Sequence, residues 1–156
     1  MYPSGTGWWY NPTFWSILAA WIAAQSAKML GYFLRTRRLD FGYLVSTGGM
    51  PSAHSALAAA LCTSVAIREG SHSVLFAISL AFAAIVMFDA QSVRQAAGQQ
   101  ARVLNRLLDE LFKTHRFSHE RLVELLGHTR IEVFLGLLLG IAAALLVHAA
   151  SAWRAG

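Results

Sequence analysis

The sequence predicts an all-α integral membrane protein, a four-helix bundle whose third helix continues into an amphipathic extension. Composition is the first reason. Hydrophobic residues make up 56% of the 156-residue chain and the mean hydropathy is +0.46, far more apolar than a soluble domain of this size requires. Charge placement is the second, because only 13% of residues are charged and they gather between the apolar stretches. The formal net charge of +5 therefore describes loops, which points to membrane topology and anionic ligands before nucleic acid. The third is the series of apolar stretches itself, each opened by a helix-capping or turn signal. One membrane domain over residues 1–156 is the simplest organisation, with no internal repeat and no low-complexity linker. The single cysteine, Cys62, falls within an apolar stretch and has no internal disulfide partner.

Taken in order, residues 1–10 are rich in glycine, proline and aromatics and end in Trp8-Trp9-Tyr10, a pattern suited to an interfacial anchor. Asn11-Pro12 supplies an N-cap followed by proline at the first helical position. Helix 1 is expected over about 12–34, long enough for a hydrocarbon core of roughly 30 Å. Its first charge is Lys28, near the far end, whereas a cleaved leader would carry basic residues ahead of the apolar run. The segment is expected to be retained. Helix 2, about 53–67, spans only roughly 22 Å and would begin below the headgroups, recessing His54. Arg68-Glu69-Gly70-Ser71 makes a turn, and Ser71 or Ser73 can cap helix 3, about 74–90. From there Val93, Ala97, Gln100, Leu104, Leu107, Leu108 and Leu111 recur at near-helical spacing among charges, predicting an amphipathic continuation over about 91–113 at the membrane interface. After a polar segment, Thr129-Arg130-Ile131-Glu132 opens helix 4, about 131–153. Its Gly136 and Gly140 form a small-x-x-x-small pair suited to a helix contact, within the chain or in a homo-oligomer.

Four crossings place the loops after helices 1 and 3 on one side. Arg35, Arg37, Arg38, Arg94, Arg102, Arg106, Lys113, Arg116, Arg121 and Arg130 then share that side, ten of the 13 lysines and arginines. The positive-inside rule makes both loops cytoplasmic and both termini external in a plasma membrane.

That same side collects Lys28, Arg35, Ser52, His54, Asp89, Arg94, His128 and Glu132 from four helices. Cations beside a helix N-terminus make an anion pocket, since exposed N–H groups and the helix dipole both favour negative charge. Two histidines, with ordinary pKa values near ~6.5, supply groups for proton transfer or nucleophilic attack around neutral pH.

The spacing of these residues is recognisable. Lys28 and Arg35 form K-x6-R, Pro51 to His54 read P-S-A-H, and His128 to Gly136 read H-x3-E-V-x2-G. In that order they resemble the three signature motifs of the type 2 phosphatidic acid phosphatase superfamily, related to acid phosphatases and vanadium haloperoxidases. The runs GGMPSAHSA, FDAQSVRQAAGQQARVLN and LGHTRIEVFLG resemble its divergent small-membrane-protein branch, over about residues 25–140. The resemblance implies that His128 attacks phosphorus to form a phosphohistidine, with Glu132 in place of the usual aspartate that orients the imidazole. It implies that His54 protonates the leaving alkoxide and then activates water, and that Lys28, Arg35 and the Ser52 region hold the phosphate oxygens. Three positions depart from the motifs. Ala53 replaces a glycine, Glu132 replaces aspartate, and Leu122 stands where an arginine usually precedes the nucleophilic histidine. Arg94, Arg121 or Arg130 must take the place of that clamp, or it is absent; Arg94 is preferred because it follows Asp89 in the run that resembles the divergent branch, with Asp89 in support.

Each residue also has a structural reading. Thr129-x-x-Glu132 is a capping box, the better account from spacing alone. Ser52 suits an N-cap, and Lys28 and Arg35 suit snorkelling cations. Asp89 is harder to set aside, since an intramembrane carboxylate costs about 2.5–3.5 kcal/mol on insertion scales unless paired or near water. The resemblance therefore implies a phosphatase acting, without metal or other cofactor, on a lipid or isoprenoid phosphate or diphosphate. The alternatives are a catalytically silent lipid-binding or complex-assembly protein of the same fold and, third, a metal site built from Asp89, Glu132 and the two histidines.

Overall fold

In a computed structural model the described residues are 7–38, 49–111 and 129–155. They contain five α-helices and, among the described residues, no strand. A short 3-10 turn, Trp8–Tyr10, leads into α1, Pro12–Thr36. Asn11 caps α1 by accepting the Thr13 N–H at 3.0 Å, and Arg37 ends it in the left-handed region (φ 56°) with its N–H donated to Phe33 O. Helix α2, Ala53–Glu69, starts at the Ser52 cap and stops at Gly70, whose φ of 83° favours glycine. Of the two serines available to cap α3, Val74–Phe88, the structure uses Ser73, which accepts the Phe76 N–H at 3.1 Å.

The amphipathic segment is not a plain continuation of α3. A π-helical turn, Asp89–Val93, intervenes before α4, Arg94–Leu111. At its start the Asp89 N–H is shared between the carbonyls of Ile85 and Val86, and the Ser92 hydroxyl donates to Phe88 O at 2.6 Å. The extra residue in that turn changes which way the following helix faces, a discontinuity that residue periodicity does not reveal because every residue involved is compatible with helix. Helix α4 carries three faces. Gly98, Ala101 and Asn105 are buried, Arg102 and Arg106 are exposed on a second face, and Val103, Leu104 and Leu107 are exposed on a third. The last predicted residues of the extension, 112–113, and the polar segment that follows lie outside the described residues.

Helix α2 is central, packed against α1, α3 and α5 (Arg130–Ala155), and α1 also packs on α5. The interior is built from small side chains. Ala20, Ala24, Ala53, Ala56, Ala60, Ala143 and Ala144 form the main cluster, and the fully buried Ser16, Ser52, Ser55 and Ser64 fill the gaps. The large apolar residues point outward, among them Ile78, Phe82, Ile85, Phe88, Leu138 and Leu146. This inversion is what a bilayer demands. Lipid is as apolar as leucine, so helices associate through close backbone approach rather than by hiding large side chains. Helices α1 and α5, and α3 taken through Ser92, are each long and apolar enough to cross a membrane; α2, with 17 residues, is shorter.

Gly136 and Gly140 explain the closeness of α5 to α2. A Cβ on Gly136 would strike the Ser52 carbonyl oxygen and lie 2.9 Å from Ser55 Cβ, and one on Gly140 would strike the Ala56 carbonyl oxygen and lie 2.8 Å from Ala59 Cβ. The small-residue face is therefore covered by α2 within the chain.

Candidate functional site

Three chain segments meet at the end of the bundle formed by the C-terminal half of α1 and the N-termini of α2 and α5. On α1, Gln25 and Lys28 are buried, and Arg35 follows Lys28 by two helical turns on the same face, exposed. A cleft of about 190 Å³ opens there, lined by Lys28, Gly31, Tyr32, Arg35, Gly49 and Met50. Gly49, at φ 86°, takes a conformation that favours glycine, and the Met50–Pro51 peptide is cis. The turn sets Met50 against the basic face of α1 and delivers the chain to Ser52.

Ser52 is fully buried. Its hydroxyl accepts the Ser55 N–H at 3.4 Å and the Ser55 hydroxyl at 3.1 Å, while its own N–H donates to the Glu132 carbonyl at 3.0 Å. Ser52 thus caps α2 and ties it to the first turn of α5. His54 follows within the first turn of α2, half-buried, with Nδ1 turned away from solvent.

At the start of α5 the capping box is formed. Glu132 Oε2 accepts the Thr129 N–H at 3.0 Å, and Thr129 Oγ1 accepts the Glu132 N–H at 3.3 Å. The half-buried Glu132 carboxylate also lies within electrostatic reach of Lys28. A lysine buried among apolar helices requires such an opposite charge, so one carboxylate serves both the helix cap and the lysine on α1.

The sequence matches the profile of the divergent PAP2 family over residues 9–143. The chain belongs to the divergent PAP2 family. It is similar to the uncharacterized membrane protein YuiD of Bacillus subtilis (strain 168), 47% identical over a region covering 81% of this chain and 87% of the relative. No solved structure matches it significantly.

The family match takes in all three motif segments. Of the residues singled out in them, the structure gathers Lys28, Arg35, Ser52, His54 and Glu132 at one end of the bundle, through the cleft, the Ser52–Glu132 bond and the Lys28–Glu132 attraction. Asp89 is half-buried in the π-turn, which touches α5. Arg94 opens α4, and its side chain lies outside the described residues. His128 and Leu122 also lie outside them; the described chain resumes at Thr129, adjacent to His128. Among the described residues no group of three His, Cys, Asp or Glu side chains converges as a metal site.

Sequence reasoning passed over Gln25 and Tyr32. Gln25 was legible only as a polar interruption in an apolar helix, although its place one turn before Lys28 puts it on the same buried face. Tyr32 carried no signal, because an aromatic near a helix end suits an interfacial anchor equally well.

Proposed function

We propose that this divergent PAP2 family member is a membrane-embedded phosphatase, a hydrolase of a lipid or isoprenoid phosphate or diphosphate. The observation that carries the reading is the cleft joining Lys28 and Arg35 to the Gly49–Met50 turn just before Ser52 and His54. Around it, the cations of α1 meet the N-terminus of α2 and the imidazole in its first turn, the groups that phosphoryl transfer needs. In this mechanism His128 attacks the terminal phosphorus and the leaving group, the alkoxide of a monoester or the phosphate monoester of a diphosphate, departs with a proton from His54. Water, activated by His54, then attacks the phosphohistidine and releases phosphate. Glu132 orients His128, Lys28 and Arg35 hold the phosphate oxygens, the buried Ser52 fixes the N-terminus of α2, and Arg94, supported by Asp89, supplies the third cation. The chain acts as one membrane domain, with the basic loops cytoplasmic in a plasma membrane and both termini external. An amphiphilic substrate enters sideways from the bilayer, and no metal or other cofactor takes part.

One observation favours a second reading. The carboxylate of Glu132 already closes a capping box, which is all that a catalytically silent lipid-binding or assembly protein would ask of it.

Phosphate release by purified protein, in EDTA, on a panel of lipid and isoprenoid phosphates separates the two. The wild type is expected to turn over, His128→Ala to be inactive, and His54→Ala to be slower by about 10²–10⁴-fold, the scale of a lost general acid. Equal inactivity of wild type and His128→Ala across the panel overturns the enzyme. If phosphate then still protects His54 from chemical modification, the silent binding protein stands.

A further inference from the structure

The opposite end of the bundle holds a second polar constellation, which the phosphatase mechanism leaves unused. His148, buried on α5, bonds through Nε2 to Ser64 Oγ at 2.7 Å, and the Ser64 hydroxyl also bonds Thr13 Oγ1 at 2.9 Å, so α1, α2 and α5 are pinned together. One turn further along α2, Arg68 donates to Asn11 Oδ1 at 2.8 Å, which holds its guanidinium beside the start of α1. A cleft of about 460 Å³ opens beside this cluster, within the ~300–1,000 Å³ typical of small-molecule sites.

The lining of the cleft is divided. Its wall is apolar, made by Leu61 and Val65 of α2 and by Leu75, Ile78 and Phe82 of α3; its mouth carries Arg68 and Glu69. The apolar wall from Leu75 to Phe82 runs roughly 10 Å along α3, about a third of the ~30 Å hydrocarbon core. Aromatic residues mark the same end as a membrane–water boundary, with Trp9, Tyr10, Trp15 and Trp153 all exposed.

We propose that this cleft seats one zwitterionic phospholipid of the adjacent leaflet. The Arg68 guanidinium faces the phosphate, Glu69 faces the ammonium, and the upper part of one acyl chain lies against Leu75, Ile78 and Phe82. The charge at the mouth selects the headgroup. One cation beside one anion gives a purely anionic head no net attraction, whereas a head carrying phosphate and ammonium meets an opposite charge at each group. The tail is positioned by the cleft between α2 and α3, lined by Leu61, Val65, Leu75, Ile78 and Phe82. This seat is independent of whether the far end hydrolyses phosphate esters.

Native mass spectrometry of the purified full chain tests it, with the protein released from micelles doped equally with phosphatidylethanolamine and phosphatidylglycerol. The wild type is expected to retain one phosphatidylethanolamine, preferred over phosphatidylglycerol by about threefold, the scale of exposed charge pairs. Glu69→Gln is expected to turn the preference towards phosphatidylglycerol, and Ile78→Trp, at a lipid-facing position, to remove the bound lipid by filling the cleft. Equal retention of both lipids by the wild type overturns the headgroup assignment. Undiminished retention by Ile78→Trp overturns the cleft as the seat.

Discussion

Glu132 shows how one residue can satisfy a structural and a chemical demand at once. Its carboxylate accepts the Thr129 N–H, closing the cap of α5, and the same charge faces Lys28 across the α1–α5 contact. A glutamine in its place keeps an acceptor for the cap but removes the charge. Glu132→Gln is therefore expected to keep the helix cap but to destabilise the protein by about 1–3 kcal/mol through the loss of the charge beside the buried Lys28, and to lower phosphatase turnover by about 10²-fold or more, as when the orienting carboxylate of a histidine is neutralised. Turnover on the lipid phosphate panel and denaturant unfolding in micelles measure the two sides. Unchanged turnover would leave Glu132 as a cap alone. From sequence, the capping box and the family motif compete for this residue, and only the position of Lys28 shows that it answers to both an N–H and a cation.

At the scale of elements, the contact between α2 and α5 rests on backbone approach. Gly136 and Gly140 face the carbonyl oxygens of Ser52 and Ala56, with no room for a side chain between the helices. Gly136→Ala is expected to destabilise the protein by about 1–3 kcal/mol, since the added methyl must displace backbone. Gly31→Ala, also within a helix but with nothing near its added Cβ, is expected to be neutral or stabilising by up to ~1 kcal/mol. Unfolding in micelles that shows equal losses for both would contradict the packing described. The small-x-x-x-small spacing was legible in the sequence, but its partner was not, because the motif says only that another helix comes close. The π-turn at Asp89–Val93 was likewise invisible, since no proline or glycine marks it.

For the whole molecule, the buried polar side chains are divided between two ends of the bundle. Lys28, Ser52, His54 and Glu132 lie at one end, and Thr13, Ser64, Arg68 and His148 lie at the other, separated by an alanine-rich interior. If α2 crosses the bilayer as proposed, cysteines introduced at Arg37 and Arg130 react with an impermeant thiol reagent from the same side, and one introduced at His72 reacts from the opposite side. The native Cys62 is buried and adds little background. Labelling of Arg37 and Arg130 positions from different sides would overturn that topology. What the sequence determined by itself was the helical membrane class, the caps, and the residue types grouped at each helix end, because these follow from hydropathy, local hydrogen bonding and charge, which neighbours along the chain decide. What only the tertiary structure decided was that α2 is packed among α1, α3 and α5, that Gly136 and Gly140 lie against it, and that Glu132 comes within electrostatic reach of Lys28. Those depend on which helix faces which, and in a bilayer that is settled by the close fit of small side chains, information spread over several helices and carried by no single one.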